Sequence, residues 1–366
     1  MLLLPKLLLQ LFVAIEASKH SFGEKRFKLD LGYDRDELPP SDGPLMIKAS
    51  WNLRSILDID EAKQTLSLDA TFRFTWVDER VTGILNDDED FVMINTKVSN
   101  ILKMIWMPDV FIDQAIKVGT ENLYLTPSTI RIYPNHTIRY AARKTLKVGC
   151  MMYFQQFPVD AQICNLTIHS FAYSTDQYQL KFNRHNNHID KDIYTAQFQH
   201  KIIYDDDFDM REYDEPQPGL LVQFQLRRRL TSHFMQGYLP SFLLVMTAYG
   251  SLYLPPISIN ARGSTALITL LNIFTLNSGI RKIIPKVAYT TYLDIWLEGC
   301  FAIIFFVNFE YIWVLCFITI GKVKSAQNLE RRCKIVVPSL ICIFTLAYIV
   351  VLGATSYSQY GRTDGN

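Results

Sequence analysis

Past residue 231 the chain runs through three stretches without a single charged residue: Phe234 to Leu254, Gly263 to Ile280 and Ile335 to Tyr360. A fourth, Val287 to Gly321, is as apolar and carries only Asp294, Glu298 and Glu310. Runs of this length match the hydrocarbon thickness of a bilayer. Inside hydrocarbon a backbone must satisfy its own N–H and C=O groups, which leaves helices and closed barrels, and continuous apolar runs select helices. Residues 232–354 therefore read as a domain of four spanning helices, followed by a tail over 355–366.

The amino-terminal half has the opposite grain. From Thr65 to Trp76, the apolar residues Leu66, Leu68, Ala70, Phe72, Phe74 and Trp76 alternate with Ser67, Asp69, Thr71, Arg73 and Thr75, the period of a half-buried strand. Val222, Phe224 and Leu226 alternate with Gln223, Gln225 and Arg227 in the same way. Turn-rich punctuation at residues 39–44 and 214–219 completes the pattern of an all-β sandwich over 18–231.

Met1 to Ala17 is apolar apart from Lys6, Gln10 and Glu16 and ends in small residues. It reads as a cleavable signal peptide over 1–17, which places the β-rich half and, after four crossings, the tail outside. Residues 322–334 then form a short cytoplasmic linker. Its Lys322, Lys324, Arg331, Arg332 and Lys334 against Glu330 suit that side. At this length it is expected to leave little room for a folded helix. Arg281, Lys282 and Lys286 in the second outer loop oppose the charge trend, so the signal peptide and the outer domain are taken to set orientation.

A net charge of +1 gives no reason to expect a nucleic-acid partner. No P-loop, nucleotide fingerprint or catalytic-triad spacing appears, so neither an enzyme nor a cofactor nor a resident metal is expected. Of six cysteines, only Cys150 and Cys164 lie in the outer half, where oxidation is permitted, and a disulfide between them is expected. Cys300, Cys316, Cys333 and Cys342 fall in or beside apolar runs as small hydrophobes. Asn135-His-Thr and Asn165-Leu-Thr are glycosylation sequons suited to the outer half.

The loop closed by those two cysteines encloses Phe157, Pro158 and Asp160. It resembles the signature of the Cys-loop receptors, the pentameric ligand-gated ion channels. Further pieces follow in that family's order: Trp76-Val-Asp78-Glu-Arg80, Trp106-Met-Pro108-Asp109, Arg228, Pro240, Ile284-Pro285-Lys286-Val-Ala-Tyr289 and Asp294-Ile-Trp296. The resemblance covers about residues 45 to 350. It implies an extracellular ligand-binding β-sandwich, a four-helix transmembrane domain and a pentamer of identical or related subunits. The implied setting is the lipid of the plasma membrane, on the postsynaptic side of a synapse, as a neurotransmitter receptor.

Ion choice follows from the second span. Ala261-Arg262 resembles the anion-selective branch, whose P-A-R sequence replaces a glutamate that forms a cation-attracting ring in the cation-selective branch. Asn260 stands where that branch has proline. Ser264, Ile268, Leu271, Thr275 and Ser278 share one helical face. By resemblance this face lines a chloride pore, with Leu271 as the apolar ring that gates by dewetting.

For the ligand, the resemblance implies an aromatic box between two subunits around a small molecule. Phe111, Phe171, Tyr173 and Tyr213 are its candidates, and Arg73 matches an arginine that meets a transmitter carboxylate. His169 and Ala141 depart from the pattern of glycine and γ-aminobutyrate receptors. Asp160, Arg228 and Lys286 resemble the charged cluster that couples the outer domain to the pore. A second trigger stays open: His185, His188 and His200, with Asp205, Asp206, Asp207, Asp209 and Glu212, suit a proton or zinc gate. Also open are a cation-conducting member and a non-conducting accessory subunit that needs a sibling.

Overall fold

The computed structural model describes residues 26–95, 101–119, 127–183, 188–189, 193–212, 215–255, 258–282 and 287–364. The signal-peptide segment, Tyr213, His185 and Lys286 lie outside the described residues.

Among the described residues the outer half holds fourteen strands: β1 (Phe27–Leu29), β2 (Leu45–Asp60), β3 (Thr65–Val77), β4 (Val81–Gly83), β5 (Val92–Asn95), β6 (Val110–Ile112), β7 (Ala115–Gly119), β8 (Ser128–Ile132), β9 (Thr137–Gly149), β10 (Ala161–Ser170), β11 (Tyr178–Phe182), β12 (His188–Ile189), β13 (Phe198–Glu212) and β14 (Glu215–Arg228). The larger sheet runs β11-β2-β3-β9-β8-β5, with β12 on β2 and β7 on β9; the smaller runs β13-β14-β10-β6. Trp51 of β2 bridges the two sheets. Its ring lies 5.8 Å from Phe224 of β14, and its indole N–H donates to the Tyr204 hydroxyl of β13 at 3.0 Å.

The alternation in β3 is realised: Leu66, Leu68, Ala70, Phe72 and Trp76 are buried. Asp69, on the polar face, is nevertheless buried because Arg143 of β9 clamps it with bonds of 3.0 and 2.5 Å. The Trp76-to-Arg80 motif is structural. Asp78 is fully buried and accepts from Arg80 Nε at 2.9 Å, and Tyr33 packs over that guanidinium and accepts from the Trp106 backbone N–H.

The inner half holds α1 (Leu239–Ser251), α2 (Ile259–Ile280), α3 (Tyr292–Thr319) and α4 (Val323–Asp364). Among the described residues, three helices, over Asn260–Ile280, Tyr292–Thr319 and Val323–Ser356, are long and apolar enough to cross a membrane. The first expected span is also helical, but in pieces. A turn at Thr231–His233 and a π-helical stretch, Phe234–Tyr238, lead without a break into α1. Pro240 has no N–H to return to the preceding turn, and the widened turn lies just ahead of it. Asp294 of the Asp294-Ile-Trp296 motif caps α3 reciprocally with Thr291, and the Trp296 indole donates to Ser241 of α1 at 2.8 Å. Gly299 of α3 faces the ring of Phe344 of α4, which a β-carbon at that position would strike.

Residues 323–334, expected to leave little room for a folded helix, are the opening turns of α4. Lys, Ala, Gln, Leu, Glu and Arg dominate them, and all favour helix. The boundary placed at 354 likewise falls inside this helix.

Candidate functional site

At one end of the sandwich, Asp109 organises the loop that follows β10. Its carboxylate accepts from Ser170 Oγ at 2.8 Å and from the backbone N–H groups of Phe171 and Ala172 at 3.1 and 2.8 Å. That grip leaves Phe171 69% exposed, 6.3 Å between ring centroids from Phe111. The structure therefore brings Phe111 and Phe171 together. Tyr173 is directed away from them and stacks on buried Tyr178 at 5.6 Å. His169 is buried beneath Phe111, with Nδ1 2.9 Å from the Ser170 carbonyl oxygen and Nε2 without a partner.

Arg73 sits elsewhere, on the opposite face of β3 from the side that Phe111 approaches. Phe111 shares a 310 Å³ groove with Phe72, Phe74 and Tyr140, whereas Arg73 alternates onto the other face between Ser50 and Ala141. Burial, and then the neighbouring charges of Arg139, Arg54 and Arg131, lower the pKa of the Arg73 guanidinium. Sequence reasoning singled out Arg73 alone. The alternation of β8 and β9 carries Arg131 and Arg139 to the same face and was the signal that could have found them, while Arg54 reaches it from β2 beside Thr71.

At the opposite end of the sandwich, Arg228 is the hub of the junction with the helices. It binds Asp160 through Nε at 2.7 Å and Nη2 at 3.1 Å, and Glu61 through Nη1 at 2.6 Å and Nη2 at 2.8 Å. The rings of Phe157 and Phe198 each lie 4.6 Å from its guanidinium carbon. Burial opposes its charge, but the two carboxylates outweigh burial and its pKa rises. Glu61, in the β2–β3 turn, was missed by sequence reasoning, because nothing local in that turn announces a partner far along the chain.

The disulfide-closed loop, bonded between Cys150 and Cys164, reaches the helical half at three places. Phe157 meets His233 ahead of α1 at 4.8 Å, and the Phe154 N–H donates to Tyr289 between α2 and α3 at 3.0 Å. The carbonyls of Gln155 and Phe157 accept from Tyr292 and Leu293 at the start of α3. The loop can thus pass displacement of the β domain to the helices through direct contacts.

On α2, Asn260, Ala261, Ser264, Ile268, Leu271, Thr275 and Ser278 are exposed within the single chain. Arg262, Thr269 and Ile273 are buried on the other side. Arg262, grouped with Ala261 in the selectivity stretch by resemblance, is buried and does not share the exposed face with it. Its Nη2 donates to Glu310 of α3 at 2.7 Å, its Nη1 lies 3.6 Å from Glu330 of α4, and Tyr311 packs against it. Lys334 closes the cluster, 3.3 Å from Glu330. Helix rotation decides this, and only the partner helices fix rotation.

Asn135 and Asn165 are both exposed. His200 is half-buried, and burial lowers its pKa. Among the described residues, no group of three or more histidine, cysteine or carboxylate side chains is placed to hold a metal ion.

Comparison with known proteins identifies both halves. Residues 25–230 match the neurotransmitter-gated ion-channel ligand binding domain, and residues 237–335 match the neurotransmitter-gated ion-channel transmembrane region. The chain is 27% identical over 295 residues to a glutamate-gated chloride channel of Drosophila melanogaster, covering 80% of this chain and 64% of that protein. It is 26% identical over 312 residues to a γ-aminobutyric acid receptor subunit gamma-1 of Rattus norvegicus, covering 83% of this chain and 65% of that one. The chain thus spans a little under two-thirds of the length of these relatives.

Proposed function

Because the chain belongs to the neurotransmitter-gated ion-channel family, a family of membrane channels with an extracellular ligand-binding domain rather than of enzymes, we propose that it is one subunit of a pentameric anion channel opened by a carboxylate-bearing small molecule. The observation that carries the ion choice is the second helix itself. Ile259–Ile280 contains no aspartate or glutamate, and its exposed face ends at Arg281 and Lys282. Five copies around an axis would present no ring of carboxylates, the feature by which such pores attract cations. Asn260 and Ala261 line the inner mouth, and Ser264, Ile268, Leu271 and Thr275 follow along the pore. The two relatives, one of them named a chloride channel, support the same choice.

The ligand class follows from Arg73. Four guanidinium groups on one sheet face repel one another, and an arriving carboxylate relieves that repulsion through bidentate hydrogen bonds. Phe111 and Phe171 lie at the other side of the sandwich, so one ligand touching both sets of residues sits between two subunits. The amine end meets the aromatic faces and the acid end meets Arg73. The placement is the plasma membrane, in its narrower form the postsynaptic one.

Voltage clamp of cells expressing the full chain, under a panel of amino acids, tests this reading. We expect a reversal potential that follows the chloride gradient. One that follows sodium would overturn the anion assignment, and responses carried only by amines lacking a carboxylate would overturn the ligand class.

A further inference from the structure

We propose that the opening turns of α4, with the turn that leads into them, form a binding surface for anionic phospholipid of the inner leaflet. The proposal rests on the reading of the β domain as extracellular. At the start of α3 the Tyr292 backbone N–H donates to the Gln155 carbonyl of the disulfide-closed loop, so α3 leaves from the outer side and ends, at Thr319, on the inner one. The chain then turns back into α4. Lys322 in the turn and Lys324, Arg331 and Arg332 on the first part of α4 are all exposed.

Nothing in the subunit answers these charges. Among the described residues none of these four side chains makes an ion pair or a hydrogen bond, and the carboxylate beside them in sequence, Glu330, is turned inward onto Arg262 and Lys334. Helix stability does not account for them either. A cation in a first helical turn opposes the helix dipole, and α4 has no acidic residue there to offset Lys324. Lys324, Asn328, Arg331 and Ile335 recur at alternating steps of four and three residues, so two of the cations lie on one stripe of the helix, with Arg332 at its edge.

That stripe continues through exposed Ile335, Cys342, Leu346 and Ile349, the face a spanning helix turns toward acyl chains. Arg331 lies about 6 Å from Ile335 along the axis, the thickness of a head-group layer. The neighbouring helix supplies apolar surface at the same level. Arg262 reaches Glu310 at 2.7 Å and Glu330 at 3.6 Å, which sets those two carboxylates side by side, and around Glu310 α3 exposes Phe309, Ile312 and Trp313. Cations beside an apolar, indole-bearing surface fit an amphiphile: its phosphate meets the guanidinium and ammonium groups, and its chains meet the rings. An acidic cytosolic protein would use the cations alone. Arg331 follows directly on Glu330, so the occupant sits one residue from the carboxylate that faces α2.

The test is native mass spectrometry of the full-length channel in detergent, titrated with short-chain phosphatidylserine, short-chain phosphatidylcholine, inorganic phosphate and hexaglutamate. We expect phosphatidylserine to bind more tightly than the other three. Lys324→Gln with Arg331→Gln is expected to weaken it about fivefold for each charge removed and to leave phosphatidylcholine unchanged. Lys28→Gln with Lys48→Gln removes the same charge from exposed positions of the β domain and is expected to change nothing. Asn328→Arg added to Arg331→Gln returns a cation to the same stripe and is expected to restore binding. Phosphatidylserine no tighter than phosphatidylcholine, or equal losses in the two double variants, would overturn the surface. Inorganic phosphate or hexaglutamate binding as tightly as phosphatidylserine would overturn the lipid assignment, in favour of a free anion or of an acidic protein. None of these measurements reads current, so their failure is separable from failure of the channel reading.

Discussion

Two arginines have side chains only 1% exposed, and the protein treats them differently. At the outer junction Arg228 is saturated, with four hydrogen bonds to two carboxylates and an aromatic ring on each side. At the start of α2 Arg262 makes a single hydrogen bond, to Glu310, while its Nε, its Nη1 and Glu310 Oε1 have no hydrogen-bond partner. A saturated buried ion pair holds one geometry firmly. An undersatisfied one leaves donors and acceptors that another arrangement could use, so a small change in helix position can tip it. The junction is a fixed coupling, and the inner cluster is an adjustable one.

The largest expected effect tests the first half of that contrast. Arg228→Met strands Asp160 and Glu61 in a buried site, at a cost of about 3–5 kcal/mol for a broken buried pair. We expect almost no protein at the cell surface, scored by surface biotinylation against total protein. Normal surface levels would place the junction in the same class as the inner cluster.

Arg262→Met should cost less, about 1.5–3 kcal/mol, because one charged hydrogen bond is lost and Lys334 still faces Glu330. Arg262→Met combined with Glu310→Met should recover that stability or exceed it, since removing both buried partners is often neutral or favourable. Thermal unfolding of the purified channel followed by tryptophan fluorescence reads both. A double variant no more stable than the single would mean that the inner pair is as tightly built as the outer.

Leu271→Ser sharpens the geometry of the comparison, because Leu271 lies on the exposed side of the helix whose buried side carries Arg262. A hydroxyl at a dewetting ring favours the open state, so half-maximal activation should need about tenfold less ligand, or current should flow without any. Reduced surface labelling with unchanged sensitivity would mean the helix is rotated differently. The smallest effect is that of Asp160→Asn. Glu61 keeps its two bonds to Arg228, and the concentration for opening should rise about fivefold, roughly 1 kcal/mol of coupling. Unchanged activation at normal surface expression would remove Asp160 from the coupling path.

What the sequence made legible is what local chemistry determines. Alternation in β3 announced a sheet with a buried face, and uncharged runs announced membrane helices, because both patterns report contact with an apolar phase. The cysteine pair was legible from where the two residues fall in the chain. Glu61 was not, because a carboxylate in a turn looks solvated until Arg228 arrives from far along the chain. Arg262 was misplaced for a related reason. So apolar a helix carries little amphipathic pattern, and the carboxylates that set its rotation belong to α3 and α4. The opening turns of α4 were readable from helix propensity but were judged on length alone.

The continuity of α4 has a mechanical consequence. One unbroken helix carries Glu330, near the Arg262 cluster, and Ser356, which shares a cavity with Val159 of the disulfide-closed loop and Thr231. At its 42 residues it is about 63 Å long, twice the hydrocarbon thickness of a bilayer. Its two ends are therefore locked in angular phase, like the two bits of a double-ended key. A single residue inserted between them would turn one end by about 100° against the other and advance it by about 1.5 Å, so that only one end could stay in register. Lengthening this helix is tolerable only in steps that restore whole turns, and that restriction ties the chemistry at the inner face of the membrane to the chemistry at the outer.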